Sequence, residues 1–452
     1  MKYIKPIYFF VLSIPIATLF LYGSFSNQNF KADDYWHIEK WTFKKTLNSF
    51  FLNTNSTNSP EKYYRPFFKI SLAIDYFLGG FNPKIYYWHN FVSFVIFIVS
   101  VLFAFSKLTE SYFCGIAAAS LTLCHPAMVE AVSWAAARPD IENPALFIWA
   151  FYFIINYYKT GKSKHIFVSI LLFTISLLLI EKSLVFPLLA VFSMLIFQKK
   201  DYKTLFIIIL IIAVYFAVRI SVLSDALGYS NRNNYYNIIK SNSLWFLAYK
   251  SWTKLLFPKI YYIIFGNIAR VKYLDLAGLS VLVIFASAFL GIFRKDKKHP
   301  FLLALVWLFV NLLPVWDLDF AACFGAGSRR LITVIPFTGL MIYALFFYKN
   351  KWKTNLTLLN KLRFLTGCFI MLILVIQYCR FTFVRNKEWI EAGKIANNLV
   401  MSYPYNETDL RINIEKMSIP ENFKSAPVFP QKESFGYALV KIRRIPENKI
   451  IY

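Results

Sequence analysis

Two adjacent carboxylates mark the first place in this sequence where chemistry could occur. Asp33 and Asp34 lie in the run Asn29-Phe30-Lys31-Ala32-Asp33-Asp34-Tyr35-Trp36-His37. Crowded carboxylates raise one pKa, which suits a general base. Together with His37 they are also a candidate set for a divalent cation such as Mg or Mn. Asp is equally a favoured helix N-cap, and the residues from Tyr35 onward read as helical. Arg65, in Tyr64-Arg65-Pro66-Phe67-Phe68, is a fork-shaped donor suited to phosphate, or to a lipid headgroup.

A second concentration spans Cys124 to Asp140. It places His125, Glu130, Arg138 and Asp140 within sixteen positions. Ionisable residues near membrane depth are costly and tend to be functional. Ile180-Glu181-Lys182-Ser183 interrupts an otherwise apolar stretch, and Lys182 joins the candidates. Asp317 and Asp319 precede Gly327-Ser328-Arg329-Arg330. The paired Arg329 and Arg330 suit a lipid phosphate.

The elements that must position these residues are membrane helices. The 452 residues are 58% hydrophobic and 19% aromatic but only 16% charged, with a mean hydropathy of +0.48. Soluble domains carry about a quarter charged residues. A water-soluble globule, a disordered chain and a disulfide scaffold are therefore all excluded. The five cysteines show no pairing or metal-type spacing. A net charge of +26 suggests nucleic acid, but the Lys and Arg sit in short breaks between apolar runs. They read as topology determinants, and no nucleic-acid partner is expected.

Spans of about twenty apolar residues are expected near 7–22, 86–106, 112–126, 141–158, 166–180, 184–197, 205–222, 274–293, 301–315, 331–347 and 365–380. That makes an all-α polytopic membrane protein of about eleven transmembrane helices. The stretch 243–264 reads as an interfacial helix. The segments expected inside hold eighteen Lys and Arg against three acids. This places the N-terminus in the cytoplasm, and the long loop 24–85 and the tail outside. All the candidate residues then share the outer face. No Walker-type or GxGxxG pattern occurs, so nucleotide-driven chemistry is disfavoured.

The ordered set of motifs resembles a known family. The Asp-Asp loop, Tyr64-Arg65-Pro66-Phe67, Asn82-Pro83-x-x-Tyr86, His125-Pro126-x-x-x-Glu130-Ala131-Val132-x-Trp134-x-x-x-Arg138-x-Asp140 and Glu181-Lys182-Ser183 look like GT-C fold glycosyltransferases. The closest similarity is to bacterial relatives of the transmembrane O-mannosyltransferases with tetratricopeptide repeats, over about residues 1–390. This chain lacks the repeats, and Ser328-Arg329-Arg330-Leu331 stands where relatives usually show an Arg-Tyr pattern. The resemblance implies a GT-C-like catalytic domain over 1–380 and a small extracytoplasmic appendage over 381–452. It implies transfer of a sugar, hexosyl or pentosyl, from a polyprenyl-phosphate carrier to a glycan, lipid or protein acceptor. The expected location is the bacterial inner membrane, in contact with membrane lipids.

On this reading Asp33, with Asp34 close behind, is the catalytic base of an inverting transfer. Arg65, His125, Glu130, Arg138, Asp140, Lys182, Arg329 and Arg330 would bind the carrier phosphate and substrates. The runner-up is a transporter or flippase for a lipid-linked glycan, disfavoured because transporter sites sit near the bilayer midplane. A third reading is an assembly factor for surface polysaccharide without turnover. The charge asymmetry carries a direct test of topology. A reporter fused after Lys45 is expected outside the cell and one after Lys200 inside; both on one side would overturn the map.

Overall fold

The structure is a computed structural model. It describes residues 6–23, 27–52, 63–223, 306–307, 310–311, 328–343, 358–405, 412–415, 417–424 and 426–451. Those residues are mostly helical: α1 (Pro6–Tyr22), α2 (Asp34–His37), α3 (Phe43–Asn48), α4 (Pro66–Gly79), α5 (Pro83–Thr109), α6 (Tyr112–Cys124), α7 (Met128–Val132), α8 (Pro139–Thr160), α9 (Ser163–Leu179), α10 (Phe186–Ile196), α11 (Tyr202–Leu223), α12 (Ile335–Ile342), α13 (Leu358–Ser402) and α14 (Lys432–Arg443). The span expected at 274–293 lies outside the described residues, as does the stretch 243–264.

Among the described residues, α5, α11 and the part of α13 from Phe364 to Ser402 are long and apolar enough to cross a membrane. The Phe9–Tyr22 stretch of α1, with α6 and α9, forms shorter apolar helices. Their outer faces are apolar where a soluble protein would be polar. Phe369, Leu372 and Ile376 on α13, and Phe206, Leu210 and Val214 on α11, all stand exposed. Spacings of three and four put each set on one helix face, as a lipid-facing stripe requires.

The interior is aromatic. Trp307 stacks on Phe337 at 4.5 Å and meets Phe151 at 4.8 Å and Phe147 at 5.2 Å. Small residues let the helices approach: a Cβ on Gly339 of α12 would lie 2.4 Å from the Ala118 Cα of α6. Such contacts are a main source of helix affinity in lipid, where the hydrophobic effect is absent.

Two features of the chain were not legible as elements. The long loop contains α4, whose Ser71 and Asp75 are buried while Ile74, Phe77 and Leu78 are exposed. The division expected at 380/381 falls inside α13, which runs 45 residues without a break. Beyond it a small unit pairs β1 (Ile412–Asn413) with β4 (Ile450–Ile451) in parallel, and β2 (Asn422–Phe423) with β3 (Ala426–Pro427) antiparallel. Phe429, Phe435, Ala438, Leu439 and Ile445 form its core with α14.

One buried cation joins the elements at the end of the bundle that carries the loops. Arg138 is fully buried. Its Nε donates to Asn90 Oδ1 at 2.8 Å, and Nη1 donates to the Ser71 carbonyl and hydroxyl at 3.3 and 3.2 Å. Nη2 donates to the Tyr86 carbonyl at 2.9 Å and faces Asp75 Oδ2 at 2.5 Å. Each guanidinium nitrogen thus has partners on α4 and α5. Asn90 in turn faces the carbonyls of Ala131, Val132 and Trp134 at 3.0–3.3 Å, tying that turn to α5. Arg138→Gln would take the guanidinium from the buried Asp75 carboxylate and leave it with His89, whose Nδ1 lies 2.7 Å from Oδ1. Breaking such a pair costs about 3–5 kcal/mol, so this variant is expected to lose folded protein in detergent unfolding, whatever its activity.

Candidate active site

The adjacent carboxylates have separate fates. Asp34 is fully buried and bonded on both oxygens. Oδ1 accepts from the Ala136 N–H at 2.8 Å. Oδ2 accepts from the Lys31 N–H and the Tyr87 hydroxyl, each at 3.1 Å. Lys31, also fully buried, donates from Nζ to Gln28 Oε1 at 2.7 Å, the Ser133 carbonyl at 3.0 Å and Tyr87 Oη at 3.2 Å. Burial raises Asp34 to about 6, against the pull of Lys31. Burial lowers Lys31 to about 7 while Asp34 opposes it. Asp34 is thus a latch between the first loop and the 133–137 turn.

Asp33 is only partly buried and sits at the N-cap of α2, but its side chain makes no capping bond. Among the described residues it makes no side-chain hydrogen bond or ion pair. Its carboxyl is raised above the ordinary value by burial, with the Arg329 cation working against that rise. A carboxylate held near a cation, with its oxygens uncommitted, is equipped to accept a proton.

Arg329 comes from a turn nearly three hundred residues away, after α11 and before α12. Its Nη1 meets Glu130 Oε1 at 2.6 Å, and its backbone N–H donates to Oε2 of the same carboxylate at 3.2 Å. Its Nε faces Asp140 Oδ2 at 3.1 Å, and its guanidinium lies 4.3 Å from the Trp134 ring. Lys182 pairs with the other Asp140 oxygen. Burial alone would raise Asp140, but Lys182 and Arg329 overcome it and lower its pKa. Arg385 of α13 reaches Glu130 at 3.6 Å. Beside this network, Arg65 places Nε and Nη2 on Glu181 Oε2 at 2.8 and 2.7 Å, and Arg219 meets Oε1 at 3.2 Å. The side chains of Arg65, Lys182 and Arg329 are each about a fifth exposed, so these cations retain a face for an anion.

The structure therefore gathers Asp33, Arg65, Glu130, Asp140, Lys182 and Arg329 into one charged cluster. It assigns other work to two expected site residues. Arg138 spends each guanidinium nitrogen on the scaffold. His125 is fully buried, with Nδ1 accepting from the Ala127 N–H at 3.1 Å and its ring against Tyr378 at 4.7 Å. The side chain of Arg330 lies outside the described residues.

No group of three His, Cys, Asp or Glu suited to a metal occurs among the described residues. Asp34 spends its oxygens on N–H and O–H donors, so Asp33, Asp34 and His37 do not fit a cation. Burial and the cations Arg65, Lys441, Lys69 and Arg329 depress His37 to about 3, leaving it neutral.

The sequence pattern singled out neither Lys31, Arg219 nor Arg385, and it offered Glu181 only as part of a motif. Arg219 carried a signal, as a cation inside the apolar run of α11. Lys31 carried none beyond its place next to the acids.

The Arg329 contact yields a pH test. Transfer that needs ionised Asp33 falls as pH drops through its pKa. Arg329 holds that pKa down, so Arg329→Gln is expected to move the acid limb of the transfer profile to higher pH. An unmoved limb would uncouple the two groups.

No protein-family model matches the chain, and no curated protein sequence does. Solved structures do. ArnT from Cupriavidus metallidurans, bound to undecaprenyl phosphate, aligns with a TM-score of 0.52 at 11% identity, covering 95% of this chain and 84% of that one. AglB, the oligosaccharyltransferase of Archaeoglobus fulgidus, in complex with an inhibitory peptide and a dolichol-phosphate, aligns at 0.55 and 11% identity. That match covers 96% of this chain and 64% of AglB. The apo form of the archaeal enzyme gives 0.55 at 12% identity. Identities this low speak to architecture, and over nearly the whole chain that architecture is the GT-C fold.

Proposed function

We propose that this protein is a membrane glycosyltransferase. It moves a hexosyl or pentosyl group from a polyprenyl-phosphate carrier to a glycan, lipid or protein acceptor on the extracytoplasmic face of the inner membrane. The observation that carries this reading is the split between the two carboxylates: Asp34 is consumed as a latch, and Asp33 is left uncommitted beside Arg329. Support for the carrier class comes from the ligands named with two proteins of the same fold, undecaprenyl phosphate and dolichol-phosphate.

The step is a single inverting displacement. The acceptor hydroxyl oxygen bonds to the anomeric carbon as Asp33 takes its proton, and the bond from that carbon to the carrier phosphate oxygen breaks with its electron pair. Charge develops on the leaving phosphate, and fixed cations at that point are the most effective catalytic device available. Arg329, Lys182 and Arg65 have that role. Their acid partners, Glu130, Asp140 and Glu181, keep them oriented when no phosphate is bound. A flippase would need the same cations but no uncommitted carboxylate.

Asp33→Asn keeps shape and hydrogen bonding but removes the proton acceptor. An acid–base group contributes about a hundred- to ten-thousand-fold in rate. The variant is therefore expected to insert and unfold like the wild type, to bind donor lipid, and to lose transfer by about that factor, read as released polyprenyl phosphate. Asp34→Asn is expected to destabilise the loop instead, because an amide nitrogen cannot accept from an N–H. Normal transfer by Asp33→Asn would remove Asp33 as the base, and glycan crossing without release of polyprenyl phosphate by the wild type would leave the transporter reading as the better account.

A further inference from the structure

The small unit that follows α13 is wrapped around the Asp33 loop. The Ala32 N–H donates to the Val428 carbonyl at 2.8 Å, and the Val428 N–H donates to the Glu421 carbonyl at 2.8 Å. Residue 32 thus extends the backbone pairing of the small unit by one more segment. Ala32 has φ of +49°, a left-handed conformation that costs a non-glycine residue and persists only when its surroundings enforce it. On the other side of Asp33, the Tyr35 ring stacks on Phe429 at 5.7 Å, and Trp36 meets Tyr437 edge-on at 5.7 Å. Lys441 of α14 donates from Nζ to the Tyr35 carbonyl at 2.6 Å and the Trp36 carbonyl at 3.1 Å.

These contacts bracket one residue. Conformational freedom at Ala32 is removed on the N-terminal side, and α2 is held on the C-terminal side. A helix of a single turn cannot nucleate or persist by itself. Its terminal carbonyls lack intrahelical partners, and a cation at that end both bonds them and opposes the helix dipole. Burial lowers Lys441 to about 8, with Glu39 pulling the other way, so it is still charged at neutral pH.

We infer that the C-terminal unit is a clamp that fixes the aim of the Asp33 carboxylate, and that Lys441 is its positioning residue. The role given to Asp33 rests on the function proposed above; the clamp itself does not. The unit is then part of the machinery of the site without touching substrate, and displacement of α2 by an ångström would suffice to slow the reaction, since misplacement on that scale can cost about a hundredfold.

The test compares Lys441→Met and Lys441→Arg with the full-length protein in detergent or nanodiscs. Met keeps the length and loses the donors; Arg restores donors to the same carbonyls. In Lys441→Met, amide hydrogen exchange is expected to quicken at residues 34–38 while protection within 412–451 holds. Transfer is expected to lose roughly tenfold or more in kcat with KM for the polyprenyl-phosphate donor nearly unchanged, and Lys441→Arg to recover most of it. Unchanged exchange at 34–38, or protection lost evenly through the small unit, would overturn the clamp. If the wild type transfers no sugar at all, the proposed function falls, and the exchange pattern alone then decides the clamp.

Discussion

A charge in an apolar, water-poor place must be paired or it will not stay charged, and this constraint organises the loop end of the molecule. The idealised cost of burying a lone ion is of order 20 kcal/mol, with several remaining after relaxation. The chain responds in two ways. Arg138 is enclosed completely and given partners at each guanidinium nitrogen, so that it works as a joint between α4, α5 and the turn before α8. Arg329, Lys182 and Arg65 are paired with acids but left partly open. The first arrangement gives rigidity. The second gives oriented cations that an anion could still reach.

The same constraint separates Asp33 from Asp34. Two neighbouring carboxylates in one partly buried loop cannot both be structural and both be reactive. Asp34 receives three donors and anchors the loop to the 133–137 turn and to Tyr87 of α5. Asp33 receives none from the described residues and feels the attraction of the Arg329 cation. On the proposed role for Asp33, the latch supplies the rigidity that a general base needs, because such a base acts only from a fixed position. Close packing contributes as well. A Cβ on Gly393 of α13 would lie 2.9 Å from the Asn29 carbonyl and from Lys31 Cε, so the long helix rests directly on the loop.

Architecture and chemistry come from different parts of the chain. The GT-C architecture is shared with proteins only 11–12% identical, because apolar helices of similar lengths and order can be built from many sequences. The cluster around Asp33 depends on a few polar residues at loop ends, drawn from positions 33, 65, 130, 140, 181, 182, 219, 329 and 385.

The sequence by itself determined that the protein is a helical membrane chain, since hydropathy and charge content leave no other way to satisfy its backbone. It also marked most of the charged positions, because an ionisable residue beside an apolar run is conspicuous. It did not separate scaffold from site. Arg138 and Arg329 look alike as arginines near span ends, and only the packing of α4 against α5 encloses the guanidinium of Arg138. Nor did it reveal α4, whose apolar residues are split between an exposed and a buried face, so that no single period stands out. The pairing of residue 32 with residue 428, and of residue 130 with residue 329, spans hundreds of positions. Such contacts are set by how the helices pack and where the chain returns, and no local spacing encodes them.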